Sequence, residues 1–436
     1  MKIAVLSDWE TAGGANIFAQ RLTQGFVAAG HQVTRIYQKA DTRDARYETR
    51  LIPSLFPSAE MPRGKRLALR FLPGDLHQRL HERSAEKALA KVLQSVRPDV
   101  INIHNLHIGR WSPEMLRVCA DHAPVVCKLC DTWMITGRCY NPGDCTKYLT
   151  RCDHTCPTAG EYPALAPSKI GRAYDLRGEI LDRYSNIAAV APSEWLGRMA
   201  TAGLWKKRVV FTIRNGLDLN CYRPMDRDRA RSALGLNSAD PVLLCCATQL
   251  GNRKKGLPLL IEALSAGLRT RVQLVLMGEP AVLPPMPGVD VHSIGYITQD
   301  LQKALAYNAA DIYVHPSLAD NAPNTVMESL ACGTPVIAFG IDGLPEMVIP
   351  KKTGWLAKDV SSESLREVLT EALAEAGDGQ DLRRSCRDFA EREYSMPAVV
   401  ESWTRVFQSM LIGDAAVGID QAGEADVQLA SIGSRV

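Results

Sequence analysis

The stretch DIYVHPSLADNAPNTVMESLACGTPVIAFGIDGLPEMVIPKKTG, residues 311–354, decides the reading of this chain. Its apolar run at 312–314 predicts a buried strand, and residues 317–321 a polar loop. A helix carrying Glu328 follows: Asn321, Pro323 and Asn324 mark its start and Gly333 its end. A second buried strand over 335–339 runs into a Gly-rich turn at 340–343. Strand, acidic loop, helix and strand make a βαβ unit. Unpaired N–H groups at the helix N-terminus, at the positive end of its dipole, suit a phosphate. Asp320 and Glu328 sit at opposite ends of one short segment, placed to hydrogen-bond two hydroxyl-rich parts of a single ligand.

Outward from this unit, the same rhythm runs through both halves of the chain. The first half reads as strand 2–6, loop 11–14, an amphipathic helix through 25–29 stopped by Gly30, and strand 32–36. A helix over 76–95 and strands at 100–103, 125–128, near 187–190 and at 209–213 complete it. The second half restarts with strand 241–246, helix 256–266, strands 273–278 and 289–293, and helix 300–309. Strands alternating with helices predict parallel sheets, hence an α/β chain of two Rossmann-like domains. Ligands are then expected at strand C-terminal ends, in the cleft between domains. The expected domains span 1–222 and 223–394, with a linker over 219–228, a last helix at 395–412 and a disordered tail at 413–436.

Composition narrows the class. The 436 residues are 46% hydrophobic and 23% charged, ordinary globular material with enough chain for two cores. A net charge of +3 argues against bulk nucleic-acid electrostatics. No apolar run reaches the roughly 18 residues of a membrane span. Residues 1–7 read as a strand rather than a signal peptide, so a cytoplasmic location is expected, without disulfides among the 12 cysteines.

With its Asp320-x7-Glu328 pair, the opening stretch resembles the donor site of retaining glycosyltransferases of family 4, also called glycosyl transferases group 1, which have the GT-B fold. The wording DNxPNTxxExxACGTPV, matched at 320–336, is similar to a bacterial polysaccharide-biosynthesis subgroup with a Cys-rich insertion. Asp320 stands where that family more often has Glu. The resemblance implies that Glu328 hydrogen-bonds the ribose of a nucleotide diphosphate sugar. It implies that Asp320, with the backbone at Asn321 and Ala322, contacts the transferred sugar. Gly13 and Gly14, in the loop after the first strand, would line the cleft opposite the donor phosphates. Arg253, Lys254 and Lys255, before Gly256, would clamp the departing diphosphate. Tyr296 would touch the base. The residues alone also allow a tight turn at 13–14 and a solvated basic loop at 253–255.

The activity so implied is hexosyl transfer to a hydroxyl acceptor, a glycan or lipid-linked glycan, without a catalytic metal. The domain over 1–222 would face the acceptor and that over 223–394 the donor, with the helix at 395–412 crossing back to the first domain. Alternatives are a non-catalytic nucleotide-sugar-binding protein and a sugar-nucleotide 2-epimerase of the same fold.

Two local features carry further expectations. Cys139, Cys145, Cys152 and Cys156 crowd the Gly/Pro-rich segment 137–157, a set suited to structural tetrahedral zinc, with free structural thiols as the alternative. His154 is a substitute ligand, and only Arg138, Lys147 and Arg151 are basic between 132 and 157, which disfavours a nucleic-acid ribbon. Just before it, the family's HD-x-W element has lost its His: Cys130, Asp131 and Trp133 stand there. A thiol does not replace imidazole; His104, taken as catalytic, and His107, at the end of the preceding strand, are near enough to contribute, or either is instead a satisfied loop His. Finally, Arg63, Lys65, Arg66 and Arg70 alternate with Leu67, Leu69, Phe71 and Leu72. Such a stretch is either a peripheral contact with anionic lipid at the inner membrane face or a solvated helix face.

Overall fold

The computed structural model describes residues 1–10, 13–38, 44–52, 54, 64, 67, 71–237, 239–279, 283–375 and 380–413. The chain divides into two compact units, one of Met1–Ile213 with the chain from Val399 onward, the other of Arg214–Ala398. Residues 219–228 therefore lie inside the second unit, where Tyr222 is fully buried. The last helix, Met396–Ile412, begins in the second unit and contributes Trp403 and Phe407 to the packing of the first. Phe407 meets Phe26 there at 5.3 Å between ring centroids. The stretch expected as a tail, 414–436, lies outside the described residues, as do Arg63, Lys65, Arg66, Leu69 and Arg70 of the basic run.

Among the described residues the first unit has seven strands: β1 (Lys2–Leu6), β2 (Gln32–Tyr37), β3 (Glu48–Leu51), β4 (Val100–Ile103), β5 (Val125–Lys128), β6 (Ile187–Ala191) and β7 (Val210–Thr212). All pair in parallel in the order β3-β2-β1-β4-β5-β6-β7. The second has, among its described residues, six parallel strands: β8 (Val242–Gln249), β9 (Val272–Glu279), β10 (Val289–Gly295), β11 (Ile312–His315), β12 (Val336–Phe339) and β13 (Gly354–Ala357). Their order is β10-β9-β8-β11-β12-β13.

Central strands β4, β5, β11 and β12 are buried at every residue, as strands covered by helices on both faces must be. Their short apolar runs therefore marked them in the sequence. Edge strand β3 is charged and largely exposed, and gave no such signal.

Each order reverses direction once: between β1 and β4 in the first unit, and between β8 and β11 in the second. At such a switch point the following helices leave toward opposite faces and open a crevice beyond the strand ends. The segments after β1 and β4, and after β8 and β11, are thus the ones each unit presents to a ligand. The candidate residues read from sequence fall mainly on them.

Candidate active site

In the second unit the switch point joins two motifs 65 residues apart in sequence: Lys255 Nζ donates to Asp320 Oδ2 at 2.8 Å. Lys255 closes a single 3₁₀ turn, Arg253–Lys255, capped by the Asn252 side chain on the Lys254 N–H at 3.0 Å. The loop after β11 is stitched to that turn, since the Lys254 carbonyl accepts from Leu318 N–H at 2.9 Å and from Ser317 Oγ at 3.3 Å. Gly256 makes the approach possible. With φ +71° it sits against Pro316, whose carbonyl oxygen would lie 1.6 Å from any Cβ there. Gly343 plays the same part opposite, where a Cβ would meet the Asn321 carbonyl at 2.1 Å. Its neighbour Asp342 accepts from the Asp320 N–H at 3.1 Å.

Burial would raise the Asp320 pKa, but Lys255 and His315 outweigh it and hold the carboxyl well below the ordinary range. It is therefore an anion throughout neutral pH. Glu328 lies on the helix Asn324–Ala331, whose cap is Pro323 without the side-chain cap bond expected of the asparagines. Its side chain is 4% exposed and accepts from Tyr307 Oη at 3.2 Å. Glu328 is therefore not a solvated carboxylate on an exposed helix face. Asn321 and Ala322 lie between the two acids, half-buried. Arg253 is exposed and Lys254 half-buried on the turn with Lys255. Tyr296 is 54% exposed just past edge strand β10, two strands across the sheet from β8.

In the first unit Gly13, with φ +84°, caps the helix Gly14–Ala28 that follows β1. Asp8, fully buried after the same strand, accepts from the N–H groups of Ile108 and Gly109 at 2.9 and 3.1 Å, fixing the loop after β4 against that after β1.

His104 and His107 both lie on that second loop, and their surroundings differ completely. His104 is 2% exposed, packed between Phe18 and Trp403, with Nε2 2.8 Å from Asn102 Oδ1. Burial, then Arg35 and Lys128, keep it well below its ordinary pKa. It is a neutral core group, and its packing corrects the expectation of a catalytic imidazole there. The imidazole that reaches Asp131 belongs to His107: Nε2 is 2.8 Å from Asp131 Oδ2 and Nδ1 3.1 Å from Tyr162 Oη. Burial opposes its protonation, but Asp131 prevails and raises its pKa. Cys130 beside them is a half-buried thiol whose pKa desolvation pushes up to about 12, so it carries no charge at neutral pH.

The cysteine quartet lines one small pocket, yet among the described residues no group of three or more His, Cys, Asp or Glu is arranged to hold a metal. Arg138 Nη1 lies 3.7 Å from Cys139 Sγ and 3.8 Å from Cys156 Sγ. The same guanidinium donates to the carbonyls of Pro163 at 2.8 Å, Thr158 at 2.5 Å and Glu161 at 2.6 Å. The quartet as arranged does not fit tetrahedral zinc, and Arg138 gives the loop the shape for which zinc was expected.

Two parallel α/β units, each with candidate residues gathered at its switch point and one with paired acids beside a lysine, define a two-unit protein of Rossmann-like type. Comparison with known proteins narrows it. Residues 12–221 match the profile of Glycosyltransferase Family 4, and residues 240–375 that of Glycosyl transferases group 1. The chain belongs to this glycosyltransferase family, as the resemblance implied.

It is 26% identical over 339 residues to a protein of Escherichia coli described as a colanic acid biosynthesis glycosyl transferase, WcaC, covering 73% of this chain and 78% of that one. It is 28% identical over 217 residues to D-inositol 3-phosphate glycosyltransferase of Gordonia bronchialis, covering 44% and 46%. The chain thus spans about half the length of that relative. Among solved structures, sucrose-phosphate synthase of Thermosynechococcus elongatus superposes with a TM-score of 0.72 at 19% identity, covering 94% and 99%. HepE of Anabaena, solved in complex with UDP and glucose, gives 0.65 at 17%, covering 94% and 100%. At these identities the likeness shows the fold, and the expected pair of α/β domains of GT-B type is borne out.

Proposed function

We propose that this protein is a retaining glycosyltransferase that moves a hexosyl group from a nucleotide diphosphate sugar to a hydroxyl of a glycan or lipid-linked glycan in polysaccharide biosynthesis. The observation that carries the reading is the Lys255–Asp320 pair at 2.8 Å, with buried Glu328 eight residues on. A sugar-reading anion and a phosphate-reading cation are thereby held in contact before either meets a ligand. In the proposed reaction the bond from the anomeric carbon to the diphosphate oxygen breaks through an oxocarbenium-like state. The acceptor oxygen bonds that carbon on the same face, and its proton passes to a diphosphate oxygen. Lys255, with Arg253 and Lys254, stabilises the charge on the leaving diphosphate. Asp320, with Asn321 and Ala322, holds the sugar. Glu328 holds the ribose, Tyr296 the base and Gly13–Gly14 the phosphate region. His107, oriented by Asp131, takes the imidazole role first assigned to His104.

UDP in a structural neighbour and a polysaccharide-assembly relative support the donor and acceptor classes. No described helix is long and apolar enough to cross a membrane. A cytoplasmic place at the inner membrane face belongs to the same proposal, drawn from the acceptor class.

The test is nucleotide release from a panel of UDP-, GDP- and dTDP-sugars, with Glu328→Ala as control. Release from one donor, lost in the variant, is the expected result. Saturable donor binding without release from any acceptor mixture would favour the non-catalytic reading that neutral Cys130 raises. Absence of donor binding would overturn the proposal.

A further inference from the structure

A run of polar side chains lies between the two acids of the donor segment. Tyr307 Oη, which donates to Glu328 Oε2, lies 3.5 Å from Cys246 Sγ. Cys246 Sγ donates to Tyr313 Oη at 3.4 Å, and Tyr313 Oη lies 3.0 Å from His315 Nδ1. His315 Nε2 in turn faces Asp320 Oδ2 at 3.3 Å, the same oxygen that accepts from Lys255. Tyr307 and Tyr313 are fully buried, and His315 is 4% exposed. These residues come from β8, β11 and the helix Asp300–Ala309, so only the folded sheet assembles them.

The direction of the bonds follows from the donors available. Burial, then the neighbouring Cys246, keep the Tyr313 phenol protonated far above its ordinary range. Its oxygen accepts from the Cys246 thiol, so its own proton points to His315 Nδ1. A ring that accepts at Nδ1 carries its hydrogen on Nε2. That hydrogen faces Asp320. At present the favourable approach to Oδ2 belongs to Lys255, and His315 Nε2 stays outside hydrogen-bond geometry.

We infer that His315 is a positioning residue for transfer: fixed by Tyr313 as the Nε2–H tautomer, it takes over the Asp320 carboxylate when Lys255 turns to the donor diphosphate. This rests on the proposed reading in which Asp320 holds the sugar and Lys255 the diphosphate. A lysine serving both in succession would otherwise leave Asp320 as a half-buried anion, free to rotate away during bond cleavage. His315 supplies a hydrogen bond without competing for the phosphate, because its ring is anchored in the interior through Tyr313.

The test uses full-length protein with ¹⁵N-labelled histidine, the His315 signals being assigned by their loss in His315→Gln. The wild type is expected to show an unprotonated, hydrogen-bond-accepting Nδ1 and a protonated Nε2, and Tyr313→Phe to mix the tautomers. A protonated Nδ1 in the wild type would overturn the inference.

In the nucleotide-release assay, His315→Ala is expected to lower turnover about 10- to 100-fold, the weight of a hydrogen bond to a charged group. Affinity for free nucleoside diphosphate should stay unchanged, and His315→Gln, which keeps a donor, should recover part of the loss. An equal fall in nucleoside diphosphate affinity, or unchanged turnover, would sink the positioning role. Should the wild type release nucleotide from no donor, the transferase reading fails, while the nitrogen signals still decide the tautomer.

Discussion

Lys128 ends β5 with its ammonium group 2% exposed, 5.1 Å from the Phe18 ring centre and without a hydrogen-bond partner. Burial pushes its pKa down to about 7 from the ordinary 10.5, with Cys130 the nearest opposing influence. The sign of the consequence is definite. Between these two values the unfolded chain binds a proton that the folded chain has released, so stability rises as pH rises through that window. Below about 7 both states carry the charge and the full penalty of burying it remains, at most about 5 kcal/mol. Lys128→Met removes the term altogether. In urea unfolding the variant is expected to be the more stable protein at pH 6 to 7, with the gap closing toward pH 10. A gap that does not vary with pH would mean the ammonium group finds solvent, contrary to its burial. The same scale explains the choice between His104 and His107. Three residues apart on one loop, they carry identical signals in the sequence. Only the partners decide: a core of Phe18 and Trp403 for one, a carboxylate for the other.

At the level of elements, the segment 137–163 turns on one guanidinium. Four cysteines in a Gly/Pro-rich loop read naturally as a metal site, because thiol spacing is visible in sequence. The partners of Arg138 are not visible there, since three of them are backbone carbonyls contributed by Thr158, Glu161 and Pro163. Arg138 is 3% exposed, so truncating it strands buried acceptors. Arg138→Met is expected to cost about 3 kcal/mol, the range for losing charge-assisted hydrogen bonds. Thermal unfolding of the wild type should be unmoved by 1,10-phenanthroline. A chelator-induced fall in melting temperature, with stoichiometric zinc in the purified protein, would reinstate the metal and displace Arg138. By contrast, the βαβ unit over 311–354 was legible almost residue by residue. Its strands are buried on both faces, and its helix ends at Gly333 with φ +74°. Local chemistry dictates local form there, whereas the loop after β5 takes its form from distant carbonyls.

For the whole molecule, two parallel sheets with separate cores follow from the alternation of apolar runs and helical periods, which was readable in the central strands but not in edge strand β3. The contacts that give the site its character were not readable. Lys255 meets Asp320 across 65 residues, and Glu328 reaches His315 through Cys246 on another strand. Such pairings depend on strand order, which no pattern along the chain specifies. Separate cores also have a thermodynamic consequence. The residues proposed for the nucleotide diphosphate, apart from Gly13 and Gly14, all lie within Arg214–Ala398, and Lys128 within Met1–Ile213. Calorimetry is therefore expected to resolve two transitions. A nucleoside diphosphate at one hundred times its dissociation constant should raise the transition of the second unit by the equivalent of about 2.7 kcal/mol. Glu328→Ala should abolish that shift, whereas Lys128→Met should move the other transition and leave the ligand response intact. Ligand and Lys128→Met acting on one and the same transition would show that the two cores unfold as a single cooperative body. A ligand shift that survives Glu328→Ala unchanged would move the ribose contact away from that carboxylate.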